Sequence, residues 1–477
     1  MFVDRKAELA FLNSLIQRRA PGPAQLILLY GRRRVGKTEL LRKWAEESGL
    51  PFTYWAASKE SATMQRNRFF AHLLGVPEGS APAYGSWQEV WAAVAGNLQD
   101  RRHILILDEV PYAAETDPAF LSALQHAWDQ YFQRSNLIIV LCGSHVRTME
   151  TLMARQSPLF GRMTGQWHLE PLPFSSLGEF FPTWDAEARI ATYAMVGGIP
   201  AYLNWLDRNQ NLVANLRHVM VAPGSMFMAE PTLLLYDEVR EPAHYMAVLK
   251  AIGAGKHTLQ EISNFCFMPR TSVNTYLDTL QTLRLVERRL PATVRPAERL
   301  RVRSGRYHLS DPYFRFFFRF LAPFQDDPLM QVEHLISYIR QNLRAFVGGT
   351  AFEDLARQWV LAQARAEHLP FRPAVVGSHW SSRVQVDVVA LNWETRELLL
   401  GECKWGDKPV EKQVVEELMT KKTPLLLKDL WDEGAAWRLN YVIFGRKGIT
   451  PAARTALENQ GGIFVNVPLL DEVLGKA

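Results

Sequence analysis

The sequence predicts an α/β protein: a parallel sheet around a phosphate-binding loop, a helical segment, a helix-turn-helix with a hairpin, and a second α/β domain. Three observations carry this. Apolar runs at 25–30, 103–107 and 137–142 alternate with helical patterns, the rhythm of a parallel sheet covered by helices. The first run leads into Gly31-Arg32-Arg33-Arg34-Val35-Gly36-Lys37-Thr38, the G-x-x-x-x-G-K-[ST] spacing of a phosphate-binding loop. The last 130 or so residues return to strands, two of which carry acids.

At 477 residues, length alone suggests about three domains. Composition shifts place boundaries at 1–170, 171–240, 241–345 and 346–477. A hydrophobic content of 48% with 22% charged residues is that of a globular protein. The net charge of +5 permits a nucleic-acid partner without requiring one. Cys142, Cys266 and Cys403 are far apart in sequence, which argues against a disulfide framework or zinc site and fits a reducing cytoplasm. The N-terminus shows no signal-peptide core. No apolar run approaches the roughly 20 residues a membrane span needs, so a cytoplasmic protein without a membrane partner is expected.

In chain order, residues 2–20 read as an amphipathic helix with Leu9, Leu12, Leu15 and Ile16 on its stripe, stopped by Pro21-Gly22-Pro23. Lys37 is placed to reach the β- and γ-phosphates of ATP and Thr38 to ligate Mg²⁺. Glu39 opens the following helix and is counted with residues 31–38 as nucleotide-binding. Residues 52–55 form a short strand, and 60–100 read as mostly helical. The run 103–107 ends in Asp108-Glu109: Asp108 would hold Mg²⁺, and Glu109 would orient or deprotonate the attacking water. The third run ends at Gly143-Ser144. Ser144 either contacts the γ-phosphate or attacking water, or is a turn serine. All these residues lie at strand carboxyl ends, where open parallel sheets bind ligands.

Together these features resemble the archaeal-type ATPase family, a branch of P-loop ATPases close to the AAA+ and STAND groups. The segments 2–9, 31–38, 105–109, Pro158-Leu159-Phe160-Gly161-Arg162 and Gly197-Gly198-Ile199-Pro200-Ala201-Tyr202-Leu203 carry the likeness. The resemblance implies that Arg162 is an arginine sensor or finger for the γ-phosphate; the residue reading alone leaves a surface arginine or a Glu170 partner equally open. It also implies that Pro200 packs on the nucleotide from a helical lid spanning 171–235.

Residues 259–265, a turn at Met268-Pro269-Arg270 and an amphipathic helix over 271–283 read as a helix-turn-helix. Segments 285–290 and 306–309 make a hairpin, so the whole is a winged helix. From Arg284 to Arg306 there are eight arginines against Glu287 and Glu298. Arg270, Arg288, Arg289, Arg299, Arg301 and Arg303 are the candidate DNA contacts, to phosphates more than to bases. Packing or lid duty is the alternative for this domain. The aromatic run 313–320 reads as a core helix with a polar edge.

The C-terminal segment predicts a helix over 349–366 carrying Glu353, strands over 383–391 and 397–404, a helix over 410–421, and strands over 440–444 and 463–467. Asp387 lies in the first strand; Glu402 and Lys404, two apart on the next, share a face. This pattern resembles the PD-(D/E)xK nuclease superfamily and implies a restriction-endonuclease-like fold. By that likeness Asp387 and Glu402 bind Mg²⁺ or Mn²⁺, Lys404 steadies the attacking water, and Glu353 completes the acidic cluster. Val386 stands where the pattern has proline, and an inert domain with Lys404 merely salt-bridging an acid stays open. The expectation is an ATP-hydrolysing protein that couples nucleotide state to DNA binding and metal-dependent cleavage. Its alternatives are an ATP-dependent switch or DNA-binding scaffold with an inert last domain, and a ring-forming motor, a homo-oligomer that supplies Arg162 or another arginine in trans.

Overall fold

A computed structural model describes residues 2–18, 24–98, 101–299, 301–302, 305–325, 331–430 and 436–476. Pro21-Gly22-Pro23 and Arg303 lie outside the described residues. The four sequence segments gather into two compact units, 1–171 with 199–201, and 172–198 with 202–477. Among the described residues no helix is long and apolar enough to cross a membrane.

The first unit is a five-stranded, all-parallel sheet of β1 (Gln25–Tyr30), β2 (Phe52–Ala56), β3 (His103–Asp108), β4 (Leu137–Gly143) and β5 (Gly165–His168), in the order β2-β3-β4-β1-β5. β1, β3 and β4 are buried throughout. Their side chains alternate between faces, so each strand feeds two cores. Ile27, Leu29, Ile104, Ile106, Ile138 and Val140 pack with Leu40 and Trp44. On the opposite face Leu26, Leu28, Leu105, Leu107, Ile139 and Leu141 meet an aromatic cluster, in which Trp87 and Trp91 stack with centroids 5.5 Å apart. Burial on both faces explains why these strands read as unbroken apolar runs. β5 has no such run; its edge position against β1 makes it a strand.

In the second unit, helix Pro242–Gly253 precedes helices Leu259–Cys266 and Arg270–Thr282, then the antiparallel pair β6 (Val286–Arg289) and β7 (Arg306–Leu309). Thr258 opens Leu259–Cys266 with a capping box closed by Glu261, a device worth about 1 kcal/mol. Val273, Leu277 and Leu280 bury one stripe of the next helix. A mixed sheet follows: β8 (Val375–Trp380), β9 (Gln385–Asn392), β10 (Glu397–Lys404), β11 (Arg438–Gly445) and β12 (Ile463–Asn466), ordered β12-β11-β10-β9-β8. β8, β9 and β10 run antiparallel to their neighbours, whereas β10, β11 and β12 run parallel. Val386, Leu398, Leu400 and Ile443 pack beneath Val415, Leu418, Leu426 and Leu457. Helix Ala186–Val196, read from sequence as part of the lid, is fastened to this end of the chain: Glu187 pairs with Arg446 at 2.7 Å and Lys447 at 3.0 Å, and Arg189 with Asp471.

Candidate functional sites

At the carboxyl end of β1 the loop turns into helix Lys37–Glu47. A β-carbon on Gly31 would sit 2.3 Å from the Leu169 carbonyl oxygen, so only glycine allows the chain after β5 to close on the loop. Lys37 is buried; its ammonium donates to the Gly31 carbonyl at 2.9 Å and the Arg32 carbonyl at 3.2 Å, which places it at the loop's own backbone. Val35 is buried, and its carbonyl accepts from Arg5 at 2.9 Å. Arg33 donates to the Tyr112 hydroxyl at 2.8 Å; Arg32 and Arg34 are half-buried, and Glu39 is exposed. Pro200 groups with this unit, and a β-carbon on Gly36 would lie 3.8 Å from its ring. That puts the proline beside the loop.

Asp108 is buried and fully engaged. Its Oδ1 accepts the Glu109 N–H at 2.9 Å; its Oδ2 accepts the Thr38 hydroxyl at 3.0 Å and the Tyr54 hydroxyl at 2.6 Å. Burial and the Asp108 charge push the Tyr54 phenol well above its usual range, so it stays a donor. Glu109 has φ 52, and its carboxylate accepts the Ser144 hydroxyl at 3.0 and 3.1 Å and the Ser144 N–H at 3.3 Å. Beside Ser144, a β-carbon on Gly143 would lie 2.7 Å from Met149 Sδ and 2.8 Å from Pro111 Cδ. The bare backbone lets the helix after Glu109 approach β4. These residues fit a nucleotide with Mg²⁺: Thr38 and Asp108 converge to hold the ion, which would neutralise phosphate charge, and Glu109 stands next to them.

Arg162 lies elsewhere in its own chain. It precedes Thr164, whose N–H bonds Leu26 at the amino end of β1, the end opposite the phosphate loop. Its guanidinium grips Asp129, not Glu170, with bonds of 2.8 and 2.7 Å. Because β5 starts at the far end of the sheet, Arg162 is held away from the phosphate loop of its own chain. Arg5 and Tyr54 went unread in the sequence. A polar aromatic near a strand's carboxyl end is a weak signal for Tyr54; Arg5 lies in the 2–9 segment that carries the likeness, which assigns it no role.

The second cluster lies in the C-terminal sheet. Asp387 on β9 accepts the Cys403 N–H of β10 at 3.0 Å. Burial and the nearby Glu402 charge raise its carboxyl above the usual range. Glu353, on helix Glu353–Arg365, is pushed up to about 8 by burial and the Asp387 charge. Glu402 is buried and held by two lysines, Lys404 at 3.0 Å and Lys422 at 2.6 Å. Burial works against the Lys404 ammonium, but Glu402 outweighs it and raises its pKa. The four residues named from sequence are thus brought together, and Lys422, which no spacing rule marks, joins them. Among the described residues no group of three or more His, Cys, Asp or Glu side chains has the arrangement of a metal site.

The hairpin arginines divide. Arg270, Arg288 and Arg301 are exposed, and Arg288 also bonds the Val302 carbonyl. Arg299 is half-buried. Arg289, expected on the DNA-facing stripe, turns inward to Glu287 at 2.5 Å and Asp354 at 3.2 Å. Asp354 also binds Arg315 at 2.7 Å and Arg357. Burial opposes its ionisation, yet Arg315, Arg289 and Arg357 hold its carboxyl far below the ordinary range.

The loop, the Thr38–Asp108 pair and the poised Glu109, set at the carboxyl ends of a parallel sheet, define a P-loop ATPase. Residues 2–206 match the model of an ATPase domain predominantly from Archaea, and residues 317–418 match a family of archaeal and bacterial proteins of unknown function. The chain is 29% identical over 461 residues to the uncharacterized protein MJECL04 of Methanocaldococcus jannaschii, covering 94% of this chain and 96% of that one. It is 54% identical over 46 residues to the uncharacterized ATP-binding protein MJ0423 of the same organism, 10% of this chain and 73% of that protein. Similar solved structures include the Walker-type ATPase PABY2304 of Pyrococcus abyssi, with TM-score 0.47 and 18% identity over 67% of this chain and 96% of that one. Another is the ORC2 protein of Aeropyrum pernix, with TM-score 0.44 and 15% identity over 72% and 94%.

Proposed function

We propose that this ATPase couples its nucleotide state to DNA held by the second unit, whose helix-turn-helix and hairpin act as a winged helix and whose last domain is nuclease-like. The observation that carries the reading is the meeting of Glu353, Asp387, Glu402 and Lys404 across one helix and two adjacent strands. Two carboxylates whose proximity disfavours ionisation attract a divalent cation, since the ion would offset the repulsion. Asp387 and Glu402 would hold it, and Lys404 would steady a water directed at a DNA phosphate. Arg270, Arg288 and Arg301 supply exposed charge for the backbone. Phe267, 96% exposed in the turn before helix Arg270–Thr282, adds an apolar tip to the same surface.

One observation favours a second reading. Both Glu402 oxygens are taken by lysines, the arrangement of an inert domain in an ATP-dependent switch or scaffold. Incubation with supercoiled and linear DNA, ATP and Mg²⁺ or Mn²⁺ separates the two. Cleavage that disappears in Asp387→Ala and Lys404→Ala establishes the nuclease. DNA binding without cleavage establishes the scaffold, and cleavage that survives both substitutions removes this site.

A further inference from the structure

The second unit contains a cavity of about 430 Å³ between the hairpin and the C-terminal sheet, within the roughly 300–1,000 Å³ range of small-ligand pockets. Arg289, Arg306, Arg315 and Arg319 reach its wall, as do His257, His308 and His379, while Glu353 is the one acid lining it among the described residues. The four cations are not equivalent. Asp354 binds Arg289 and Arg315, whereas Arg306 and Arg319 have no carboxylate partner among the described residues. Arg306 instead lies over the Trp380 ring, 5.1 Å from its centroid, and Arg319 over Phe320 at 5.9 Å. Trp380 also lines the cavity, and its buried indole N–H has no acceptor among the described residues.

The wall is short of negative charge. Glu353 is a single acid against four arginines. His308 is kept neutral by burial and by Arg289; its ring stacks on His257 with centroids 4.4 Å apart. Two guanidiniums with no carboxylate partner among the described residues, one of them over the Trp380 ring, make a half-open basic site for an anion with a flat organic body. Guanidinium forks match phosphate oxygens in geometry as well as charge.

We infer that this cavity binds a phosphate ester of nucleotide size, with Arg306 and Arg319 on the phosphate. The ligand is either a free nucleoside monophosphate or the 5′-phosphorylated end of a nucleic-acid strand. The inference goes beyond the proposed function, because it requires neither cleavage at the carboxylates nor DNA on the hairpin's outer face.

Calorimetric titration of full-length Lys37→Ala protein, which keeps the P-loop silent, tests it with four probes: AMP, a 5′-phosphorylated dinucleotide, adenosine and inorganic phosphate. The first two bind one per chain, and adenosine and inorganic phosphate bind at least tenfold more weakly. The Arg306→Ala/Arg319→Ala pair weakens binding at least tenfold. Tighter binding of AMP assigns the site to free nucleotide; tighter binding of the dinucleotide assigns it to a strand end. Photolabelling of the Lys37→Ala chain with 8-azido-AMP needs no change in the cavity and labels β8 or residues 346–350. Absence of binding by both phosphate esters, binding untouched by the arginine pair, or labelling confined to other segments overturns the inference.

Discussion

Replacing Asp354 with asparagine keeps the side chain's size and removes its charge. In the native chain that carboxylate meets Arg289 from the hairpin, Arg315 after it, and Arg357 one turn along its own helix. The side chains of all four are at most about a quarter exposed, so water does little to replace the lost charge. Removing one partner from a buried ionic cluster costs about 3–5 kcal/mol; here Arg289 keeps Glu287, but Arg315 loses the carboxylate it binds. For a unit of about 300 residues the loss lowers Tm by roughly 5–8 °C. Scanning calorimetry of the full chain measures the shift, with Asp129→Asn as control: its bond to Arg162 is more exposed and is worth at most about 1 kcal/mol. An Asp354→Asn shift no larger than the control's refutes the argument that this carboxylate joins the hairpin to the last domain. The pH dependence has a definite sign. The depressed carboxyl stabilises the fold above its unfolded value near 3.8, and that contribution fades as acid is added below it.

Glu353 has the opposite sign. Its folded value of about 8 stands above the unfolded 4.5, so its contribution is complete below pH 4.5 and is lost as pH rises through 8; Glu353→Gln flattens the fall of Tm between pH 5.5 and 8, and an unchanged slope rejects the coupling. At the ATP site, Glu109→Gln retains ATP binding and loses at least a hundredfold in turnover if Glu109 is the base; normal turnover excludes that role. Ser144→Ala removes a charge-assisted bond worth about 1.5–3 kcal/mol, so kcat falls roughly ten- to hundredfold with KM for ATP little changed. An unaltered kcat makes the serine a mere turn residue. Tyr54→Phe leaves Asp108 Oδ2 with Thr38 alone and raises the Mg²⁺ needed for half-maximal hydrolysis severalfold; an unchanged requirement shows that the phenol does not position Asp108.

The parts legible in sequence are those whose chemistry needs contiguous residues. A phosphate loop must be one stretch of backbone, so 31–38 announced itself, and Asp108-Glu109 followed from a strand ending in acids. Glu402 and Lys404 were visible because a strand repeats every two residues. Charges whose partners are distant in the chain were not. Arg289 reads as one more cation of a basic stripe until Asp354, 65 residues on, is seen beside it; Arg162 finds Asp129 33 residues back. Edge strands hid for another reason. Gly165-Gln166-Trp167-His168 has no apolar run because only β1 pairs with it, and β8 carries an irregularity between Gly377 and His379 that breaks its alternation.

Gly143 touches no phosphate, metal or water in any of these schemes, yet Met149 and Pro111 leave no room for a methyl group there. In a complete substitution scan of this chain its row would be as depleted as that of Lys37, and even alanine would fail. A reader of such a map would count it among the reacting residues. The cause would be volume alone: a vacancy of one carbon that sets how far Glu109 stands from Ser144.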